Sequence, residues 1–119
     1  MISGEILILE DDALIALGIE DTLANAGYDS FSVHSGLKSA LHHIEENMPV
    51  AALLDFNLGK NETSLPVAEV LKNNGVPFLF LTGYTSATVA LPDRFSDVIR
   101  LAKPFSSAKL VSAFGEIIS

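Results

Sequence analysis

Short apolar runs alternate with helical patterns along the chain, and this alternation predicts an α/β fold. Apolar residues dominate residues 5–9, 50–54, 77–81 and 98–102, and residues 28–33 form a weaker run with imperfect alternation. Runs this short and this apolar are typical of strands buried on both faces, as in a parallel sheet covered by helices. The chain therefore has five predicted strands, and the third of them ends directly at Asp55.

Helical patterns fill the intervals between the predicted strands. The first two cover residues 13–26 and about 37–47, the third begins after Ser64 and ends at Gly75, and the last begins after Ser106. The apolar positions of the last helix are Leu110, Val111, Phe114, Ile117 and Ile118. Ser35, Ser64 and Ser106 are the predicted N-caps of the last three, because a serine oxygen accepts a hydrogen bond from a free backbone N–H of the first turn. The interval of residues 83–97 predicts only a brief or frayed helix, since its helical candidate is cut by Pro92.

Five alternations of strand and helix predict a doubly wound parallel sheet. Because the crossovers between parallel strands are right-handed, the expected strand order is 2-1-3-4-5. The 119 residues are enough for one hydrophobic core and leave no room for a second. We expect residues 1–119 to form a single domain with no output domain after the last helix.

The carboxyl ends of the predicted strands carry acids, and in a doubly wound sheet ligands bind at that edge. Glu10, Asp11 and Asp12 follow the first strand, and Asp55 ends the third. Neighbouring carboxylates disfavour each other's ionised forms, and a hard cation relieves this because Mg²⁺ prefers oxygen ligands. The pattern therefore predicts a Mg²⁺ or Mn²⁺ site. An acidic loop that caps the following helix is the alternative interpretation of the first three acids.

Lys103 and Thr82 are expected at the same edge of the sheet. Lys103 precedes Pro104, whose ring favours an extended lysine, and its ammonium is able to pair with Asp55 and with a phosphoryl oxygen. Thr82 follows the fourth strand and offers a hydroxyl for the same phosphoryl group. Considered alone, Lys103 could equally be an ordinary surface lysine, and Thr82 could equally be an ordinary β-branched residue of a strand.

The segments LILEDD, LLDFN, FLFLTGY and LAKPF together resemble the receiver domain of two-component response regulators. The resemblance covers the whole chain and implies a flavodoxin-like (βα)5 fold. It implies that Asp55 is the phosphoacceptor, that Glu10, Asp11 and Asp55 bind Mg²⁺ with the backbone carbonyl of Asn57, and that Thr82 and Lys103 contact the phosphoryl group. It further implies a sensor histidine kinase or a histidine phosphotransfer protein as donor, and no enzymatic activity beyond the chain's own phosphorylation and dephosphorylation.

Two stretches depart from the commonest receiver pattern. The loop after Asp55 reads LGKNETSLP where something like MPxMDG is usual, and Arg100 stands where an aromatic switch residue is usual. Residues 77–84, PFLFLTGY, are similar to the FATGUY group of stand-alone receivers, with leucine in place of the usual alanine. The resemblance therefore implies output through a downstream protein or through phosphate flow. We predict an unusual switch composed of Thr82, Gly83, Tyr84 and Arg100.

The helix after the first acids has more large apolar residues than one buried face uses. At about 100° per residue, the predicted core face consists of Ile15, Gly18, Ile19, Thr22 and Ala26. Leu14 and Leu17 lie off that face and should be exposed beside the acids. We predict that they dock a helical phosphodonor, with scattered surface leucines as the plainer alternative.

The charge and composition of the chain limit the kinds of partner that it is expected to bind. A formal net charge of -8 argues against binding a phosphate backbone, so no nucleic acid partner is expected. The chain has no cysteine, which removes disulfides and thiolate ligands, and it lacks a basic leader and a long apolar segment. We therefore expect a cytoplasmic protein with no membrane partner.

Two other functions use similar residues. A phosphatase of the haloacid dehalogenase type also has a strand-end aspartate, but its general acid would fall at Asn57, and its nucleophile normally follows the first strand. A pseudo-receiver binds partners without phosphorylation, yet none of the expected acids is missing from this chain. Both are less favoured than a phosphorylated receiver.

Overall fold

Five parallel strands form one sheet in the computed structural model, which describes residues 3–83 and 91–119. The strands are β1 (Ile6–Leu9), β2 (Phe31–His34), β3 (Ala51–Asp55), β4 (Phe78–Thr82) and β5 (Arg100–Ala102). The helices of the described part are α1 (Ala13–Asn25), α2 (Leu37–Glu46), α3 (Leu65–Asn73) and α4 (Ser107–Ile118), with a 3-10 helix at Asp93–Phe95. The strand order β2-β1-β3-β4-β5 confirms the predicted doubly wound sheet.

Alternate strand residues face opposite sides of the sheet, which gives the fold two hydrophobic cores. Leu7, Leu9, Ala52, Leu54 and Phe80 lie in the core with residues of α2 and α3, whereas Ile6, Ile8, Leu53, Leu79 and Leu81 lie in the core with residues of α1 and α4. Because β1, β3 and β4 are buried on both faces, their sequences are continuous apolar runs. Each fully buried aliphatic side chain stabilises the fold by about 1.5 to 3 kcal/mol.

The edge strands are shorter than predicted. β2 begins at Phe31 and β5 at Arg100. The backbone N–H groups of Tyr28 and Val98 are bonded to the carbonyls of Leu23 and Phe95, at the ends of the preceding helices, and not to a neighbouring strand. The ring of Tyr28 packs edge-on against that of Phe114 in α4, with centroids 5.0 Å apart, and Ile99 is partly buried against the same core.

The three predicted serine N-caps have different outcomes. The Ser106 cap is confirmed, since its Oγ accepts a hydrogen bond from the backbone N–H of Lys109 at 3.1 Å. The Ser35 cap is wrong: α2 begins at Leu37, as predicted, but Gly36 occupies the cap position and has no side chain to accept a hydrogen bond. Ser64 occupies the cap position of α3, but it is fully buried and its side chain makes no capping hydrogen bond.

Helix α1 is rotated about its axis relative to the prediction. Its buried residues are Ala16, Ile19 and Leu23, while Gly18 is exposed. Ile19 and Leu23 pack in one core cluster with Phe114 of α4. This contact with a distant helix, which the pattern of α1 alone does not contain, accounts for the different buried face. Leu14 and Leu17 are 80% and 54% exposed at the start of this helix.

The interval between β4 and β5 is described only from residue 91 onward. Phe95, in the 3-10 helix, is fully buried between the rings of Phe78 and Phe80, with centroids 6.1 and 6.0 Å away. The predicted frayed helix and Tyr84 fall mostly or wholly in residues 84–90, outside the described residues. Over residues 3–83 and 91–119, none of the helices is both long and apolar enough to cross a membrane.

Candidate functional site

Acidic side chains that follow β1 and end β3 converge at the carboxyl edge of the sheet. The two strands are neighbours in a register that pairs Leu9 with Leu54, so the residues next in sequence lie side by side. Carboxylate oxygens of Glu10, Asp11 and Asp55 all lie within 4.8 Å of one another. Glu10 and Asp55 are buried, whereas Asp11 is exposed and gives the cluster an open side.

Asp12 is close in sequence but has a different role. Its Oδ1 accepts hydrogen bonds from the backbone N–H groups of Leu14 and Ile15, at 2.9 and 3.2 Å. Asp12 is therefore the N-cap of α1, as the alternative interpretation of these acids predicted for all three. It does not belong to the acid cluster. Its own N–H donates to Glu10 Oε2 at 3.0 Å, which fixes the orientation of the Glu10 carboxylate.

The Lys103 ammonium lies inside the acid cluster. Its Nζ is 2.6 Å from Glu10 Oε1 and 3.2 Å from Asp55 Oδ2. The backbone N–H of Lys103 donates to the Thr82 carbonyl at 2.7 Å, which joins the end of β5 to the end of β4. Thr82 is itself buried as the last residue of β4, one strand away from Asp55. The sheet thus assembles all of these predicted residues at one edge.

Burial raises the pKa of the Asp55 carboxyl to about 8. Hydrogen bonds to Glu10 and Asp11 and the charge of Glu10 act in the same direction, and the Lys103 ammonium opposes them without cancelling their effect. For Asp11, partial burial raises the pKa, but hydrogen bonds with Asp55 and Glu10 outweigh it and leave the pKa below its ordinary value. At neutral pH the metal-free cluster therefore retains a proton at Asp55.

Burial by itself would lower the pKa of the Lys103 ammonium. Hydrogen bonding to Glu10 and the charge of Asp55 outweigh it, so the pKa of Lys103 is raised and the ammonium stays protonated. A fixed positive charge next to a carboxyl group is suited to receive an anionic substrate group at Asp55.

The acid cluster has the donor set that a hard divalent cation prefers. Three carboxylates with mutually close oxygens supply ligands of the type that Mg²⁺ and Mn²⁺ take, together with waters and backbone carbonyls. A cation held there would offset the repulsion that raises the pKa of Asp55. Asn57, two residues after Asp55, is exposed and forms an isolated antiparallel bridge with Thr63.

The segment after Asp55 folds as a hairpin that the sequence analysis treated as a polar loop. The Ser64 N–H donates to the Phe56 carbonyl at 3.0 Å, and the Glu62 N–H donates to the Gly59 carbonyl at 2.9 Å. Lys60 and Asn61 form its tip with φ values of 51° and 61°. Two consecutive positive φ values are typical of a two-residue hairpin turn, for which the asparagine was the available sequence signal.

Gly59 brings this hairpin against the acid cluster. Its φ of 75° disfavours any residue with a side chain, and a Cβ built there would lie 3.7 Å from Asp11 Oδ2. The hairpin backbone therefore forms one wall of the cluster on its exposed side. Sequence reasoning missed this residue because the wall depends on a contact between distant parts of the chain.

The remaining predicted residues that the structure describes lie outside the acid cluster. Arg100 is exposed at the start of β5, opposite Phe80, and Gly83 is half-buried directly after β4. Tyr84 lies outside the described residues, so its part in the predicted switch stays a prediction. Leu14 and Leu17 project from the first turns of α1, the helix that follows the Glu10 and Asp11 pair.

No protein-family model matches the chain. Among solved structures, it is similar to SdrG from Sphingomonas melonis Fr1, with 35% identity, a TM-score of 0.83, and coverage of 97% of this chain and 96% of SdrG. It is also similar to a response regulator receiver protein from Sinorhizobium medicae WSM419, with 25% identity, a TM-score of 0.79, and coverage of 96% and 93%.

Among curated proteins, the chain is 28% identical over 116 residues to the phyllosphere-induced regulator PhyR of Methylorubrum extorquens. The match covers 96% of this chain but only 43% of PhyR, so the chain spans less than half of that relative. The similarity to SdrG is not restricted to part of that protein, because it extends over nearly all of both chains with 35% identity. Together with the receiver from S. medicae, it shows that this chain belongs to the receiver-domain family of response regulators.

Proposed function

We propose that this receiver accepts a phosphoryl group on Asp55 in a Mg²⁺-dependent reaction, with a sensor histidine kinase or a histidine phosphotransfer protein as donor. The observation that carries the proposal is that Asp55 lies beside two acids suited to a divalent cation and beside a lysine ammonium. Carboxylate oxygens of Glu10 and Asp11 lie within 4.8 Å of those of Asp55, and Lys103 Nζ lies 3.2 Å from Asp55 Oδ2. Membership of the receiver family supports the same assignment.

The reaction begins with an ionised Asp55, so the proton held there in the metal-free cluster must leave first. A carboxylate oxygen of Asp55 then attacks phosphorus, the bond from phosphorus to the donor nitrogen breaks, and its electron pair leaves with the donor. Lys103 pairs with a phosphoryl oxygen and Thr82 donates a hydrogen bond from its hydroxyl, as the charge spreads over the transferred group. A divalent cation, when bound, neutralises the remaining charge.

Intact-mass measurement after incubation with acetyl phosphate tests the proposal. The protein is expected to gain the mass of one phosphoryl group with Mg²⁺ or Mn²⁺ present, and none after chelation. No gain under either condition would favour a pseudo-receiver that binds partners without phosphorylation. Continuous release of inorganic phosphate from unrelated phosphate esters would favour a phosphatase of the haloacid dehalogenase type instead.

The segment PFLFLTGY supports placing the chain with the FATGUY group of stand-alone receivers. On this proposal it is a cytoplasmic phosphoprotein of a phosphorelay and not an enzyme toward other substrates. Its signal passes to a downstream protein or ends in phosphate flow between carriers. The acidic net charge supports protein partners over nucleic acid.

Leu14→Ala and Leu17→Ala are expected to slow transfer from a phosphohistidine protein by about tenfold each, because truncating one of the few side chains that carry most of the binding energy of an interface costs more than about 1 kcal/mol. These side chains are 80% and 54% exposed, so their loss leaves the core intact. The measurement is the transfer rate from a phosphorylated donor protein, compared with the rate from acetyl phosphate. Equal slowing with both donors would show a damaged site and contradict the docking role.

Thr82→Ala, Tyr84→Ala and Arg100→Ala are expected to reduce the coupling between phosphorylation and partner binding, which is ordinarily about 1 to 3 kcal/mol. Thr82 is buried one strand from Asp55, and Arg100 lies on the next strand, so movement of the threonine is able to reach it. The measurement is the affinity for a partner with and without the phosphoryl group. A phosphorylation-dependent gain that is undiminished in all three variants would disprove this switch.

A further inference from the structure

The two edges of the sheet differ in their protection from other chains. At one edge, β5 has three residues, begins with the exposed Arg100 and is soon followed by Pro104. Short strands, long cations and proline all keep the edge of a sheet from pairing with another strand. At the other edge, β2 reads Phe-Ser-Val-His over Phe31–His34, without a lysine, an arginine, an acid or a proline. The β2 edge therefore lacks the side chains that usually protect an edge strand.

The backbone of β2 has unpaired peptide groups along this edge. The carbonyls of Ser30 and His34 accept hydrogen bonds from N–H groups at the two ends of β1, at 2.9 and 3.0 Å, so these residues face β1. Because successive residues of a strand direct their peptide groups to opposite sides, those of Phe31 and Val33 point away from the sheet. Within the described part of the chain, β2 pairs only with β1, and no other segment bonds to these two residues. Their donors and acceptors lie in one line, and another extended chain is the partner that pairs with all of them.

The two faces of the sheet beside this edge differ in polarity. Val33 is 44% exposed on the face that α1 covers, and Phe31 packs against the core on the same face. On the face that α2 covers, Ser32 Oγ and His34 Nε2 are buried and form no hydrogen bond with any described residue. A strand added beside β2 would therefore place its side chains alternately next to an apolar face and next to a polar face.

Acidic side chains surround the amino end of β2. Asp29 is exposed directly before the strand. Glu5 is hydrogen-bonded to His43 of α2, and Glu46 is exposed one turn further along that helix. Lys38, in the first turn of α2, lies toward the other end of the strand. Because the net charge of the chain is -8, a second copy would be repelled, whereas lysine or arginine at the polar positions of a bound segment would be attracted.

We propose that the edge of β2 binds an extended segment of another protein, in which apolar residues alternate with lysine or arginine, as an additional strand of the sheet. Backbone hydrogen bonds to Phe31 and Val33 hold the segment, and the exposed Val33 and the nearby acids select its sequence. β2 is separated by β1 from the strand that carries Asp55, so this inference does not depend on phosphorylation.

Amide hydrogen exchange, measured by NMR on the full chain, tests the proposal with a heptapeptide in which lysine alternates with valine. In the free protein, the N–H groups of Phe31 and Val33 are expected to exchange about tenfold faster, or more, than those of Ser32 and His34, which face β1. A saturating concentration of the peptide is expected to slow exchange at Phe31 and Val33 by about tenfold or more. Exchange at Ser32 and His34 should not change.

Two variants block the edge without removing a group that pairs with β1. Val33→Pro removes an N–H that points away from β1, and proline is tolerated at such edge positions. Val33→Lys keeps the N–H and adds a charge of the same sign as the peptide, so it tests the edge even if the proline variant is unstable. Each is expected to weaken peptide binding by about tenfold or more. Val33→Thr keeps both the N–H and the branched shape and should bind nearly as the wild type does.

A peptide of the same composition, with its valines in one block, is the control for charge. Equal binding of the two peptides would overturn the inference, because net charge alone would then account for it. Binding without slower exchange at Phe31 and Val33 would also overturn it, as would no binding of the alternating peptide at about 1 mM. A wild-type dimer that Val33→Pro dissociates would likewise overturn it, because a second copy of this chain would then cover the edge.

Discussion

Replacing Asp55 with asparagine is expected to abolish the gain of phosphoryl mass from acetyl phosphate and from phosphohistidine proteins. The amide is close in shape to the carboxylate, so it should fit the buried position at the end of β3. It lacks the ionised oxygen that attacks phosphorus. Removing a nucleophile usually lowers the rate by on the order of 10³-fold or more, which intact-mass measurement will record as no product.

Asp12→Asn is the matched control for this experiment. It removes a carboxylate from the same edge, but asparagine is as good an N-cap as aspartate, so α1 should remain capped. Because Asp12 is outside the acid cluster, its variant should gain the phosphoryl group to the wild-type extent. A normal mass gain in Asp55→Asn would place the phosphoacceptor elsewhere, and loss in both variants would point to the general charge of this edge.

Mg²⁺ binding is expected to tighten by about tenfold for each pH unit between pH 6 and 7.5 and to level off above pH 8. The reason is that burial and neighbouring acids raise the pKa of Asp55 to about 8, so the cation must displace a proton to bind its ionised form. Isothermal titration calorimetry in buffers of different ionisation enthalpy should record close to one proton released per Mg²⁺ at pH 6.5. Affinity that does not vary over this range would contradict the raised pKa.

The same ionisation governs stability without metal. The folded-state pKa of Asp55 lies above the unfolded value of 3.8, so the folded protein binds more protons between these values. The resulting contribution to the free energy of unfolding is fully present below about pH 4 and is lost as the pH rises through about 8. Relative to Asp55→Asn, the metal-free wild type should therefore lose about 2 to 3 kcal/mol of its free energy of unfolding between pH 6 and 9. A constant difference between the two proteins would show that Asp55 does not titrate in this range.

The amino-acid sequence by itself determined the sheet and most of the site. The apolar runs around β1, β3 and β4 leave no other place for buried strands, since a parallel sheet covered on both faces needs such runs. Polar residues directly after these runs must then meet at one edge, because parallel strands end on the same side. Glu10, Asp11, Asp55, Thr82 and Lys103 were predictable for this reason.

Contacts between distant segments decided the rest, because local pattern carries no information about them. The rotation of α1 depends on the packing of Ile19 and Leu23 with Phe114 of α4, and it leaves Gly18 exposed instead of in the core. The position of Gly59 against Asp11 depends on a hairpin that crosses from β3 to the end of β1. The pKa of Asp55 likewise depends on how deeply the fold buries this carboxyl and on its distances from Glu10, Asp11 and the Lys103 ammonium, which only the tertiary structure determines.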